Sequence, residues 1–192
     1  MNSTNTIVWA MCGSFCTFSK TMPCLEKLSA SGRQILPLMS FNAAGLDTRF
    51  GTAKGWQDKL LAITGHAPIL TLQAAEPLGP AQMADAMIIA PCTGATLAKL
   101  SHGISDTPVT LGAKSMLRAG KPVILALSTN DGLSASFENL ARLLNRKHYY
   151  LVPFAQDDYL HKPSSLQSDF SLICDTLEAA LHGRQLGPVL NP

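Results

Sequence analysis

The stretch AMIIAPCTGATLAKLSHG, residues 86–103, decides how this chain folds. An apolar run of strand length, Met87 to Ala90, ends in a turn of small hydroxyl and glycine residues, Cys92-Thr93-Gly94-Ala95-Thr96. Behind the turn an apolar, helix-like pattern runs through Leu100. A buried strand entering a helix through such a turn is the repeating unit of a parallel α/β sheet.

The same alternation extends in both directions. Apolar runs of strand length recur at 7–12, 35–39, 123–127 and 149–152, with a weaker one at 69–72. Each is bounded by Gly, Pro or polar residues. Helical patterns lie between them. In 132–146 the positions Leu133, Phe137, Leu140, Ala141 and Leu144 step by three and four and predict one apolar face. Leu166, Phe170, Ile173, Leu177 and Leu181 predict a last helix, with a capping-box start at Ser164 and Gln167 and a stop at Gly183. The segment 42–58 breaks the rhythm with three glycines and is expected to be a loop leading into a short helix. Runs that are apolar throughout and alternate with helices predict a three-layer, doubly wound, mostly parallel sheet of the flavodoxin-like (Rossmann-like) class. One domain over 1–192 is expected, with 182–192 as a Gly- and Pro-rich surface tail.

The bulk numbers exclude several classes. A net charge of +2, with fifteen Lys and Arg scattered along 192 residues, lacks the basic stripe of a nucleic-acid binder. No apolar run approaches the roughly 20 residues of a membrane span. The N-terminus MNSTNT has no basic region before its short apolar run, so no secretory leader is expected and the cytoplasm is the natural compartment. Cys12, Cys16, Cys24, Cys92 and Cys174 form no C-x-x-C pair, and their odd number argues against a disulfide framework. Cys12 and Cys174 read as buried small hydrophobes, whereas Cys16 and Cys92 fall in loops at strand ends. The five dispersed histidines form no metal-binding pattern.

Ligands of an open α/β sheet sit at the carboxyl ends of its strands. Three of those ends carry a turn compatible with a phosphate. Gly13, Ser14 and Phe15 follow the first strand, Ser40 follows the second, and Thr93, Gly94 and Thr96 follow the fourth. Their hydroxyls and the backbone N–H groups of the helices behind them suit an anion, though Ser and Thr are also preferred helix N-caps. Neither G-x-G-x-x-G nor the P-loop pattern occurs, so a mononucleotide phosphate fits better than a dinucleotide.

At these residues the chain resembles a flavoprotein family. APCTGATLAKLSHGISDTPVTLGAK is similar to the Pro-Ala-Ser-Ala-Asn-Thr segment and following helix of the family that includes phosphopantothenoylcysteine decarboxylase and the flavin prenyltransferases. AEPLGP at 75–80, GKPVILALSTND at 120–131, YLVPFAQDD at 150–158 and KPSSL at 162–166 resemble the dipicolinate synthase B subunits of that family. The resemblance implies a flavodoxin-like domain that binds FMN and assembles as a trimer or dodecamer. It carries the phosphate-binding residues over to Gly13, Ser14, Ser40, Thr93 and Thr96. It further implies a partnership with an NAD(P)-binding A subunit that oxidises dihydrodipicolinate to dipicolinate, in the mother cell of a sporulating bacterium. Two departures stand out: Ala95 replaces the decarboxylases' Asn, and Ser128-Thr129-Asn130-Asp131 replaces their Met-Asn pair. A stand-alone decarboxylase or prenyltransferase, or a non-catalytic partner of the A subunit, are the alternatives. Arg49, Asn130 and Lys162 lie in loops of family-like segments and are candidates for the substrate's carboxylates, and Gln156, in the loop segment 150–166 with Lys162, is a candidate substrate contact. No catalytic base is evident; His102 and His148 suit structural roles as well as catalytic ones.

Overall fold

A computed structural model describes residues 5–191. Residues 1–4, on which most of the leader expectation rests, and Pro192 of the tail lie outside the described residues. Five parallel strands form the centre: β1 (Thr6–Met11), β2 (Gln34–Met39), β3 (Ala86–Cys92), β4 (Val123–Thr129) and β5 (Tyr149–Leu151). Their order is β2-β1-β3-β4, with β5 pairing the first half of β4. This is the flavodoxin-like order, and the direction of winding reverses between β1 and β3. Pro37 is tolerated because β2 is the edge strand of this order.

Alternate residues of each strand enter different cores. Val8, Ala10, Met87, Ile89, Val123 and Leu125 face one side. There they meet α4 (Leu72–Ala75), α5 (Gly94–His102), α6 (Pro108–Arg118) and α7 (Phe137–Leu144). Ile7, Trp9, Met11, Ile35, Ile88 and Ile124 face the other side, against α1 (Phe18–Ala30), α2 (Phe41–Gly45), α3 (Ala53–Thr64) and α8 (Ile173–Leu181). Burial on both faces is why these runs are apolar throughout. At about 1.5–3 kcal/mol for each large apolar side chain, this two-sided burial is the main stabilising term.

Four expectations need correction. The last helix begins at Ile173, not near Ser164. Residues Leu166–Ser168 instead form a short strand, β7, antiparallel to the end of β4 and to β6 (Phe154–Ala155). The hydroxyl of Ser168 explains the switch: it accepts from Leu127 N–H at 2.8 Å and donates to the Val152 carbonyl at 3.0 Å, joining β4 to the chain beyond β5. A 3₁₀ turn, Phe170–Leu172, then leads into α8, and the Asp169 carboxylate accepts from Ser171 N–H at its start.

The second correction concerns α7, which starts at Phe137 and buries Leu140 and Leu143; Leu133, Phe137 and Leu144 of the expected face are exposed. Third, the weak run at 69–72 is no strand: it makes one bridge, Leu38 to Ile69, and then turns helical at Leu72. Finally, the tail does more than cover the surface. Gln185 holds both backbone groups of Leu151, at 2.8 and 2.7 Å, and Leu190 bridges Phe154 beside β6.

Candidate functional site

The carboxyl ends of β1, β3 and β4 surround a hollow of about 640 Å³. Gly13, Ser14 and Phe15 form one wall, Thr93, Gly94 and Ala95 a second, and Ser128 to Asp131 a third. Lys20, Phe50, Asp157 and Lys162 close its rim. A second hollow of about 410 Å³ adjoins it and is lined by Ser40, Asn42, Thr96, Lys99 and Thr107, among others. The two share Gly13, Thr93 and Ala95, the turns that flank the β1/β3 crevice.

The three hydroxyl turns therefore lie at one sheet edge but face two connected spaces. Ser14 caps no helix N–H. Its hydroxyl lies 2.7 Å from that of Ser128 and within 3.2 Å of Thr17 Oγ1, so these hydroxyls tie the β1 turn to the end of β4. Ser40 and Thr93 are N-caps, accepting from Ala43 N–H and Thr96 N–H. The Thr93 hydroxyl also donates to Thr96 Oγ1 at 3.0 Å, so Thr93 is committed to the turn itself. Ser40 keeps its hydroxyl proton to give to an anion.

Gly94 is dictated by its neighbours. A Cβ built there would lie 2.6 Å from Asp131 Oδ1 and 2.7 Å from both Ser136 Oγ and Thr129 Oγ1. The Asp131 carboxylate accepts from the Thr129 and Ser136 hydroxyls, the latter at 2.9 Å, and so folds the loop after β4 against α5. At Gly13 the protein imposes no such demand: a Cβ would make only ordinary contacts, 3.5 Å to Phe15 and 3.6 Å to Asn42. The open space beside it belongs to the hollow.

Of the four candidate substrate contacts, the structure brings two to the larger hollow. Asn130 is exposed in its lining, and Lys162 stands at its rim. Lys162 pairs with Asp157 at 3.2 Å. That hydrogen bond raises the Lys162 pKa, and burial of Asp157 is outweighed by the Ser165 hydroxyl and the Lys162 ammonium, which lower its carboxyl. Gln156 lies elsewhere: it lines a separate groove and donates to the Pro163 carbonyl at 2.8 Å, bracing the loop. Arg49 is outside the lining, its guanidinium 4.9 Å above the Phe50 ring.

Lys20, Ser128, Thr129, Asp131 and Asp157 also line the larger hollow; of these, sequence reasoning marked Ser128, Thr129 and Asp131 only as part of the segment replacing the decarboxylases' Met-Asn pair, and named neither Lys20 nor Asp157 as a candidate. Lys20 had a legible signal, lying seven residues after Gly13 in the first turn of α1. His102 and His148 do not line either hollow; His102 contacts Ser101, the Ala98 carbonyl and Arg142 at the far end of α5. Cys92 is the last residue of β3, fully buried, with its thiol pKa pushed up by burial. Cys16 is the exposed thiol at the hollow's mouth. Among the described residues no group of three or more His, Cys, Asp or Glu could hold a metal ion, and no helix is long and apolar enough to cross a membrane.

Known proteins with this architecture agree with the geometry. The Flavoprotein family model matches residues 1–181. The chain is 39% identical to the dipicolinate synthase B subunit of Bacillus subtilis (strain 168), over 96% of this chain and 92% of that protein. The crystal structure of the dipicolinate synthase B subunit from Bacillus halodurans superposes with a TM-score of 0.90 at 37% identity, covering 98% of this chain and 96% of the other. The FMN-dependent cysteine decarboxylase SpaF superposes with a TM-score of 0.68 at 25% identity, covering 92% and 97%. With its parallel sheet, its hollow at the β1/β3 crevice and these full-length relatives, the chain belongs to the Flavoprotein family.

Proposed function

We propose that the chain is the B subunit of a dipicolinate synthase. In this reading it holds FMN at the β1/β3 crevice and acts with a nicotinamide-binding A subunit to oxidise dihydrodipicolinate to dipicolinate during endospore formation. The reaction belongs to the cytoplasm of the mother cell. The observation that carries the proposal is the likeness to a dipicolinate synthase B subunit along 96% of the chain.

The residues present fit FMN. The adjoining hollows provide one space for a phosphate and a larger one for a planar ring. Ser40, Thr96 and the first N–H groups of the nine-residue helix α5 suit the phosphate. Gly13, Ser14, Thr93 and Gly94 line the passage, and Phe15 and Phe50 offer apolar surface for the ring. Bound FMN would supply a two-electron acceptor. The chain's own residues bind and orient the substrate: Lys20, Asn130 and Lys162 are the donors on the rim suited to two carboxylates.

Phe41, Leu46 and Phe50 are exposed along this same edge, which supports a homo-oligomer, a trimer or a dodecamer, with the site beside a subunit contact. Ala95, a methyl in both hollows' linings, weighs against a stand-alone decarboxylase that needs an amide at that position.

Turnover of dihydrodipicolinate with both subunits, and with each omitted, tests the reading. Dipicolinate formation that requires both supports it; equal formation by the A subunit alone sinks it. A preparation that cannot be reconstituted with FMN returns the chain to the role of a non-catalytic partner.

A further inference from the structure

Helices α1 and α8 pack on the same face of the sheet, and each turns a cysteine toward the other. Cys24 Sγ and Cys174 Sγ lie 3.3 Å apart, although 150 positions separate them in sequence. Cys24 is buried, whereas Cys174 is only partly covered. Of the other three thiols, Cys12 and Cys92 are neighbours fully buried at the carboxyl ends of β1 and β3, out of reach of peroxide, and Cys16 is exposed at the mouth of the larger hollow.

A disulfide spans about 2.05 Å, so bond formation needs an approach of roughly 1.2 Å, within reach of small side-chain rotations. Pro23 assists. Lying inside α1 next to Cys24, it removes one intrahelical hydrogen bond from that turn and leaves it easier to tilt.

We infer that Cys24 and Cys174 form a redox-responsive dithiol that closes to an intramolecular disulfide on exposure to a peroxide and staples α1 to α8. The partly exposed Cys174 reacts first. Its thiolate attacks one peroxide oxygen; an S–O bond forms, the O–O bond breaks, and the leaving hydroxide takes up a proton as water. Cys24 then attacks Cys174 Sγ. The S–S bond forms, the S–O bond breaks, and hydroxide leaves with the Cys24 proton as a second water. The two thiols give up two electrons and two protons, and one hydrogen peroxide becomes two waters.

Burial and the adjacent Cys174 thiol raise the Cys24 pKa, so Cys24 is the slower nucleophile and is held in place by its 3.3 Å contact until Cys174 has been oxidised. In a reducing compartment the pair stays open. Once closed, it spans 150 of the 192 positions, a long loop of the kind whose cross-linking constrains the unfolded state most. Lys20 lies four residues before Cys24, one turn along α1, so the staple also restrains the turn of α1 that carries one residue of the larger hollow's rim.

The test uses the full-length protein, treated with hydrogen peroxide, blocked with N-ethylmaleimide and digested without reductant. The expected result is a loss of two hydrogens in mass and a cross-linked pair of peptides carrying Cys24 and Cys174. Tm should rise by about 5–10 °C and return on treatment with dithiothreitol. Cys24→Ser and Cys174→Ser should each abolish both effects; if either fails to fold, the peptide map of the unaltered protein decides. Recovery of both cysteines as maleimide adducts while Cys16 is oxidised overturns the inference. So does a Cys24–Cys174 cross-link that leaves Tm unchanged or lowers it.

Discussion

Gly94 shows how a single position serves both fold and site. The absence of a Cβ lets the turn after β3 approach Asp131, Ser136 and Thr129 within the range a methyl would fill. Gly94→Ala is expected to destabilise the protein by about 1–3 kcal/mol through overpacking, measured by urea unfolding. It should also weaken FMN binding, because the loop after β4 must move away. In the sequence Gly94 reads only as part of a phosphate-compatible turn. Asp131 lies in a different βα unit, and no local pattern joins the two.

Ser14 tests the opposite wall. Ser14→Asp places a carboxylate beside Ser128 and the hollow and should weaken FMN binding by at least about tenfold by like-charge repulsion. At the rim, Lys162→Ala should lower dipicolinate formation with the A subunit while leaving FMN content unchanged. Gln156→Ala should have a smaller effect, since that side chain only braces Pro163.

The Asp157–Lys162 pair has a defined pH window. The lowered Asp157 carboxyl contributes stability above its unfolded pKa and loses it as pH falls through the folded value. The raised Lys162 ammonium contributes fully below its unfolded pKa and loses that contribution as pH rises through the folded one. The loop should therefore keep its protection from proteolysis from about pH 4 to about pH 10 and lose it outside that range.

At the scale of the element, apolar periodicity located α7 and α8 and gave the buried face of α8, but missed the phase of α7 and the start of α8. Leu140 and Leu143 are buried, while Leu144 is 48% exposed. Leu143→Ala should cost about 2–5 kcal/mol and Leu144→Ala less than about 0.5 kcal/mol, read from denaturant midpoints. The face expected from sequence would give the reverse order. The pattern misled because α7 also exposes apolar residues, so the periodicity does not distinguish the buried stripe from its neighbour.

The start of α8 failed for a different reason. Ser164 and Gln167 have capping-box spacing, yet Leu166–Ser168 gains more by pairing with β4 and burying the Ser168 hydroxyl in two backbone bonds. Ser168→Ala, which orphans the Leu127 N–H, should cost about 1–3 kcal/mol. Ser164→Ala should cost nothing measurable, whereas a true N-cap there would cost about 1 kcal/mol.

For the whole molecule, the five central strands and their parallel direction were legible because each run is apolar throughout and ends in turn residues; their order in the sheet was not. Strands β6 and β7 were not, being two and three residues long and held by antiparallel pairing across distant segments. The binding edge followed from topology: hydroxyl turns after β1, β2 and β3 must meet at one end of a parallel sheet. Their division between two adjoining hollows, and the approach of Lys20, Asp131 and Asp157, required the three-dimensional arrangement.

The central claim, that the β1/β3 crevice holds FMN, is tested most directly by titrating FMN into flavin-free full-length protein and following the quenching of flavin fluorescence. The account expects saturation at about one FMN per chain with a dissociation constant in the micromolar range or below, and at least about tenfold weaker binding to Ser14→Asp under conditions where that variant is fully folded. No saturable binding, or equal affinity in Ser14→Asp, would contradict it.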